Sequence, residues 1–447
     1  MNPKTHSKTH SKKHLKAQWP QRAARAAATT LATMVLVIGL GSGPAGGPAS
    51  ASAQTYDDPA IKAKAARIHE AALTLDTHGD LPNFMISRPD FDVSKWNDPY
   101  TTRSRIDLPR MKAGGLDAIF LAVYLGQGPR TEAGYADAKR RAQIQFDLVH
   151  KIAQDHPDLA GIATSEEEAL ALEKEGKRAL FIGVENGWAI GKDLSLLQKY
   201  YDQGARYMTL THTRNNDICD SSTDPAGYEH GGLTEFGKQV VAEMNRLGML
   251  VDVSHISDDS FYDCLEYSKT PIVATHSSAR ELFDHPRNLS DDMIKALAAK
   301  GGVVQMNMLG SYLKNQPAAR VNALSELREK YANMRDLPED QRAAMTAERN
   351  AEMARINELY PEEPATLSLV MDHIDHIVKL VGVDHVGIGP DLDGGGGVKD
   401  MYDVSEVGNI TYELVKRGYS EEDIHKIWSG NFFRVMKEAE RVAASMR

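Results

Sequence analysis

The chain has 447 residues, of which 42% are hydrophobic and 26% charged, with a formal net charge of −10. That composition excludes a disordered or collagen-like chain, and two cysteines, Cys219 and Cys264, are too few for a disulfide framework. The acidic balance argues against nucleic acid as a partner, because a phosphate backbone would be repelled.

The N-terminal stretch differs from the rest. Residues 1–26 carry Lys4, Lys8, Lys12, Lys13, Lys16, Arg22 and Arg25 and no acid. An apolar run, AAATTLATMVLVIGL, ends at Leu40, and a Gly/Pro/Ala-rich spacer closes with Ala51-Ser52-Ala53. Basic region, apolar run and A-x-A site together predict an export signal over residues 1–53, cleaved after Ala53, and hence a periplasmic or extracellular protein. The apolar run is about 15 residues, short of the roughly 20 that a membrane-spanning helix needs, so an uncleaved anchor is the weaker reading. Cleavage removes seven basic residues and takes the formal charge from −10 to −17. No second run is long enough to span a membrane, so residues 54–447 are expected to form one soluble domain. A disulfide between Cys219 and Cys264 and two free thiols both stay open.

After the signal, apolar strand-like runs alternate with amphipathic helical patterns. Strands are expected at 73–77, 117–124, 179–185, 206–212, 249–254, 271–275, 302–308 and 385–390. Helices are expected between them, over 136–154, 166–176, 192–204, 234–247, 258–268 and 290–300. Glycine or proline often stands just before a strand, as at Gly204, Gly248, Pro271 and Gly301-Gly302. Eight strands with intervening helices predict an α/β fold, a (β/α)8 TIM-type barrel. An open doubly wound sheet is the runner-up. Residues 314–366 break the rhythm with charged, helix-favouring sequence, and predict a helical insertion between strands seven and eight. It reads as a solvated hairpin, with a lid or a homodimer contact as the sharper alternative.

Six of the runs end on an ionisable residue: His78 and Asp80, Glu185, His212, His255, His276, and Asp391 with Asp393. In parallel α/β folds the C-terminal ends of strands are where active sites are built. His78 and Asp80 stand two apart and share one side of an extended chain, so together they can grip a cation. Glu185 follows a run too apolar to leave its charge without a partner, and its two oxygens can bridge two metals. His255 and His276 close successive strands, and neutral imidazoles suit zinc. Singly, each is more often a surface turn, a salt bridge or a structural histidine; together they predict a hydrolytic metal site. Asp391, with Asp393 as second choice, is placed to move a proton between water and a leaving amine, and His212 to stabilise an oxyanion. His373 and His376 end no strand and read as surface or packing residues. HExxH, GxSxG and clustered CxxC motifs are absent.

The blocks DTHGDLP, GVENG, LTHTRNND, VDVSHIS, PIVATHSSAR, PRNLSDD and DHVGIGPDLDG occur in that order, and through them the chain resembles the membrane (renal-type) dipeptidases, peptidase family M19. The resemblance runs from about Ile68 to Val442. It implies an amidohydrolase-like barrel with two zinc ions, manganese or cobalt being alternatives. His78, Asp80 and Glu185 would hold one ion and Glu185, His255 and His276 the second. It implies a hydroxide between the metals as nucleophile and His212 at the scissile group. Arg287 and Tyr312 would sit at the substrate's terminal carboxylate, and Asp391 at its amino group. The expected activity is hydrolysis of dipeptides, including those with a C-terminal D-residue. Trp188 stands where animal members tend to have a histidine, which leaves the pocket's shape in question. The alternatives are a dinuclear amidase, lactamase or lactonase on the same barrel and, further off, a non-catalytic exported binding protein.

Overall fold

Strand residues of this chain alternate between two buried environments, and that alternation builds the fold. In the computed structural model, residues 56 and 58–446 are described, apart from 333, 335 and 336. The expected export signal lies outside the described residues. Among the described residues there are nine strands: β1 (Leu75–Gly79), β2 (Ala118–Tyr124), β3 (Ala160–Ile162), β4 (Arg178–Glu185), β5 (Ala205–Thr209), β6 (Leu250–Asp252), β7 (Val273–Ser277), β8 (Val303–Met306) and β9 (Val386–Ile388). All pairings between them are parallel, in the order β1-β2-β4-β5-β6-β7-β8-β9. The short β3 lies off this path and pairs with the start of β4, at Arg178–Leu180. A bridge between Gly79 and Leu392 nearly closes the sheet, and the Asp80 N–H donates to the Leu392 carbonyl at 2.9 Å. The result is an eight-stranded parallel barrel of TIM type.

The period of two sorts side chains. Ile119, Leu121 and Val123 of β2 and Leu180, Ile182 and Val184 of β4 join the layer under the helices. Phe120, Phe181, Tyr207, Leu250, Val273 and Val303 fill the lower interior. Phe120 and Phe181 stack at 4.7 Å. The C-terminal helix, Asn431–Ser445, plugs this end, with Phe432 edge-on to Phe120 at 5.3 Å. Above this apolar floor the inward residues turn polar: Thr77, Glu185, Thr209, Asp252 and Thr275 are all buried. The alternation that seats Phe181 inward also seats Glu185, four residues on.

The crossover helices start on side-chain caps. Thr234, Ser257 and Ser290 accept from the N–H groups of Gly237, Ser260 and Met293, and acids fill the first turn at Asp258, Asp259, Asp291 and Asp292. Gly248 ends the helix before β6 in the left-handed region, at φ 82°. Between β8 and β9 the chain passes through two charged helices, Ala318–Lys330 and Glu339–Leu359, and then the well-buried Leu367–Val381. Within the last, His373 is buried and accepts from the Ala279 N–H, while His376 pairs with Asp291, so both serve packing. Cys219 and Cys264 are buried free thiols. Among the described residues no helix is long and apolar enough to cross a membrane.

Candidate metal centre

Glu185, at the end of β4, lies in the middle of a ring of imidazoles. Its Oε2 is 3.5 Å from His78 Nε2, and its Oε1 is 3.1 Å from His255 Nε2, 3.3 Å from His276 Nε2 and 3.9 Å from His212 Nε2. Asp80 Oδ2 stands 3.6 Å from His78 Nε2. Among the described residues the donor atoms form three overlapping groups: His78, Glu185 and His276; Glu185, His212 and His255; and His78, Asp80 and Asp391. The strand-end residues singled out in the sequence are thus brought to one place; Asp393 lines the same cavity but stands outside these donor groups. Both Asp393 oxygens are engaged, Oδ1 by the Arg105 N–H at 2.6 Å and Oδ2 by the Ser104 hydroxyl at 3.1 Å.

Hydroxyl groups set which ring nitrogens face inward. The Tyr207 hydroxyl donates to the Thr77 carbonyl at 3.2 Å, which leaves a lone pair for His78 Nδ1–H at 2.8 Å. The Thr275 hydroxyl donates to Asp252 at 2.7 Å and so accepts from His276 Nδ1–H at 2.9 Å. Both Nε2 atoms then point toward Glu185 oxygens. His255 Nε2 and His276 Nε2 approach to 2.9 Å, and His78 Nε2 and Asp80 Oδ1 are buried without a hydrogen-bond partner. Converging lone pairs repel unless a cation lies between them, and imidazole with carboxylate is a zinc-type donor set. The residues fit a divalent metal centre.

The electrostatics agree. Burial opposes charge on Glu185, yet the histidines around it hold its carboxyl well below the ordinary range. Burial also opposes an imidazolium at His78, but the surrounding anions, Glu185 and Asp80 among them, raise its pKa well above the usual value. Positive charge is favoured at this point. Burial, with Arg287 for His255 and His78 for His276, holds those two rings neutral, as metal ligands must be. Burial lowers His212 as well.

The backbone is bent to serve the site. Among the described residues, four of the six non-glycine residues in the left-handed region are His255 (φ 71°), Asp391 (65°), Asp393 (64°) and Asn186 (77°), beside Glu185. Glycine is required at two close approaches. A Cβ on Gly183 would lie 2.0 Å from the Tyr207 ring, so glycine there lets Tyr207 reach His78. A Cβ on Gly394 would lie 2.1 Å from Asp391 Oδ1 and 2.3 Å from Asp80 Oδ2.

A cavity of about 230 Å³ opens over these groups, lined by Asp80, Glu185, His212, His255, Tyr312 and Asp391, with Tyr124 and Leu309 at its sides. Burial pushes the Asp391 carboxyl up to about 7, and the Asn307 amide donates to its Oδ2 at 3.2 Å. Arg287 does not itself line the cavity. It lies buried 5.7 Å from the Tyr312 ring, bonded to Ser277 Oγ and the His276 carbonyl, each at 2.8 Å, with no carboxylate in ion-pair reach among the described residues. Trp188 is buried in a turn after β4, where a Cβ on Gly128 would strike its ring, and it does not line the cavity. Sequence reasoning did not single out Tyr207, Thr275, Asp252 or Asn307. Only Thr275 and Asp252 carried a signal, as inward neighbours of His276 and His255 on their strands.

A TIM-type barrel with imidazole and carboxylate donors at the C-terminal ends of its strands defines a metal-dependent hydrolase. The sequence profile of the membrane dipeptidases, peptidase family M19, matches residues 62–447. Dipeptidase tcpJ of Claviceps purpurea is 30% identical over 379 residues, covering 83% of this chain and 78% of its own length. Dipeptidase 3 of Mus musculus is 29% identical over 389 residues, 86% of this chain and 68% of its own. The crystal structure of the probable dipeptidase PvdM from Pseudomonas aeruginosa superposes with a TM-score of 0.75 at 32% identity, over 86% of this chain and 100% of that one. The chain belongs to the M19 membrane dipeptidase family and is a metallo-dipeptidase.

Proposed function

We propose that the chain is an exported dipeptidase working with two zinc ions. The reading rests on one observation above others: Glu185 turns one oxygen to His78 and the other to His255 and His276. His78, Asp80 and Glu185 would hold one ion, and Glu185, His255 and His276 the other. When bound, the ions supply Lewis acidity that polarises the scissile carbonyl and acidifies water.

The chain's own side chains do the rest. Asp391, with its carboxyl near 7, exchanges a proton readily at neutral pH. It takes one from the attacking water and gives it to the departing amine nitrogen. Asn307 fixes the Oδ2 atom that would do so. His212 lines the cavity as a neutral donor toward the developing oxyanion. Arg287, a buried cation without an anionic partner, is matched by the substrate's terminal carboxylate, with Tyr312 between it and the cavity. Asp391 at the amino end and Arg287 at the carboxyl end explain a preference for two-residue substrates. Tolerance of a C-terminal D-residue belongs to the same proposal and is read by comparing L-Ala-D-Ala with L-Ala-L-Ala.

Metal analysis of the purified protein and of Glu185→Gln tests it. Two zinc ions per chain in the wild type and fewer than one in the variant are expected. Unchanged metal content in Glu185→Gln would overturn the bridging role.

A further inference from the structure

The run Gly394-Gly395-Gly396-Gly397 borders two neighbouring hollows. Gly394 lines the catalytic cavity, while Gly395 and Gly397 line a second, open groove of about 800 Å³. Leu309 lines both. The two hollows therefore adjoin at Leu309 and the Gly394-Gly395 step.

In the groove the prominent group is Arg105. A Cβ on Gly397 would lie 3.2 Å from its Cδ and Nε. Its guanidinium lies 4.6 Å over the Tyr402 ring, and Tyr402 stacks on Tyr100 at 4.9 Å with the planes 5° apart. Its Nε is buried without a hydrogen-bond acceptor, and no carboxylate among the described residues reaches ion-pair distance. The acids that line the groove are otherwise placed: Glu362 faces Arg320, and Glu406 accepts from the Tyr402 N–H. Asp400 also lines the groove, beyond ion-pair reach of Arg105. The backbone of Arg105 is tied to the catalytic loop through its N–H on Asp393. An arginine flattened on an aromatic face, with its edge free, is a ready fork for a carboxylate.

We propose that this groove is a side-chain subsite, and that Arg105 selects dipeptides whose amino-terminal residue carries an acidic side chain. The inference rests on the dipeptidase reading, in which the substrate's amino group lies at Asp391, three residues before the glycine run. A side chain leaving that end toward Leu309 and Gly395 enters the groove. Arg105 is a specificity residue, and the reaction at the metals does not depend on it.

The test compares kcat/KM for Glu-Ala, Gln-Ala, Ala-Glu and Ala-Ala in wild-type enzyme and in Arg105→Ala, Arg105→Lys and Arg105→Glu. Wild type is expected to favour Glu-Ala over Gln-Ala. Arg105→Ala should cut that ratio about tenfold, the effect of one charge-assisted hydrogen bond, and Arg105→Glu should invert it. Arg105→Lys should keep part of the preference, and Ala-Ala should stay within about twofold in every variant. A merely structural stack of Arg105 on Tyr402 would move all four substrates together, which would overturn the proposal. So would a wild type without preference for Glu-Ala, or an effect falling on Ala-Glu instead. Loss of Ala-Ala hydrolysis in the wild type would instead count against the dipeptidase reading itself.

Discussion

The Tyr207 hydroxyl meets His78 Nδ1 at 2.8 Å across the barrel, over a sequence separation of 129 residues. Because the same hydroxyl donates to the Thr77 carbonyl, it orients the ring and leaves Nε2 free toward Glu185 and Asp80. Thr275 does the same for His276, with Asp252 as the terminal acceptor. Two candidate metal ligands are aligned by the same device.

Tyr207→Phe and Thr275→Val should therefore weaken metal binding by about 10–100-fold, the usual effect of losing a group that orients a histidine ligand. Competition with a coloured chelator measures this directly. Thr275→Ser should restore most of the affinity, because it restores the hydroxyl. Wild-type affinity in Tyr207→Phe would show that the hydroxyl does not orient His78.

Stability of the metal-stripped protein should fall as pH rises above neutrality. Burial raises Asp76 to about 8, and Asp391 and Asp393 to about 7. Such a group binds its proton more tightly folded than unfolded. Its contribution is fully present below the ordinary value of 3.8 and is lost as pH rises through 7 to 8. The depressed histidines, His212, His255 and His276, act oppositely, but their effect is complete once pH passes 6.5. The melting temperature with chelator present should thus decline between pH 6.5 and about 8.5, and Asp76→Asn should flatten the decline. A rise over that window contradicts the assignment.

The barrel was legible in the sequence because its strands are short apolar runs. Its site was legible because Glu185, His212, His255, His276 and Asp391 each stand where such a run stops. What stayed hidden depends on which strands meet. Tyr207 reads as one more aromatic in a buried strand until Gly183 on the neighbouring strand lets it pass toward His78. Asn307 acquires a role only once β8 lies beside the Asp391 loop. The three residues of β3 are too few to show a period. The Phe432 and Phe433 plug sits on a helix whose pattern does not say which opening it closes.

Arg287 binds its neighbours through a fork, so charge alone should not replace it. Arg287→Lys should raise KM for Ala-Ala about 10–100-fold while changing KM for the corresponding dipeptide amide far less. Equal effects on acid and amide would mean that Arg287 supports the His276 backbone and does not read the substrate's carboxylate.

One assay addresses two-ended recognition over a metal centre. Protein beginning at Gln54 would be stripped with chelator, reloaded with measured zinc, and given Ala-Ala, Ala-D-Ala, N-acetyl-Ala-Ala and Ala-Ala-Ala. No activity is expected without metal, and full recovery at two zinc ions per chain. Hydrolysis of the free dipeptides is also expected, with the acetylated peptide and the tripeptide left largely intact. Zinc-loaded protein that cleaves none of the dipeptides, or cleaves the acetylated one equally fast, would contradict two-ended recognition.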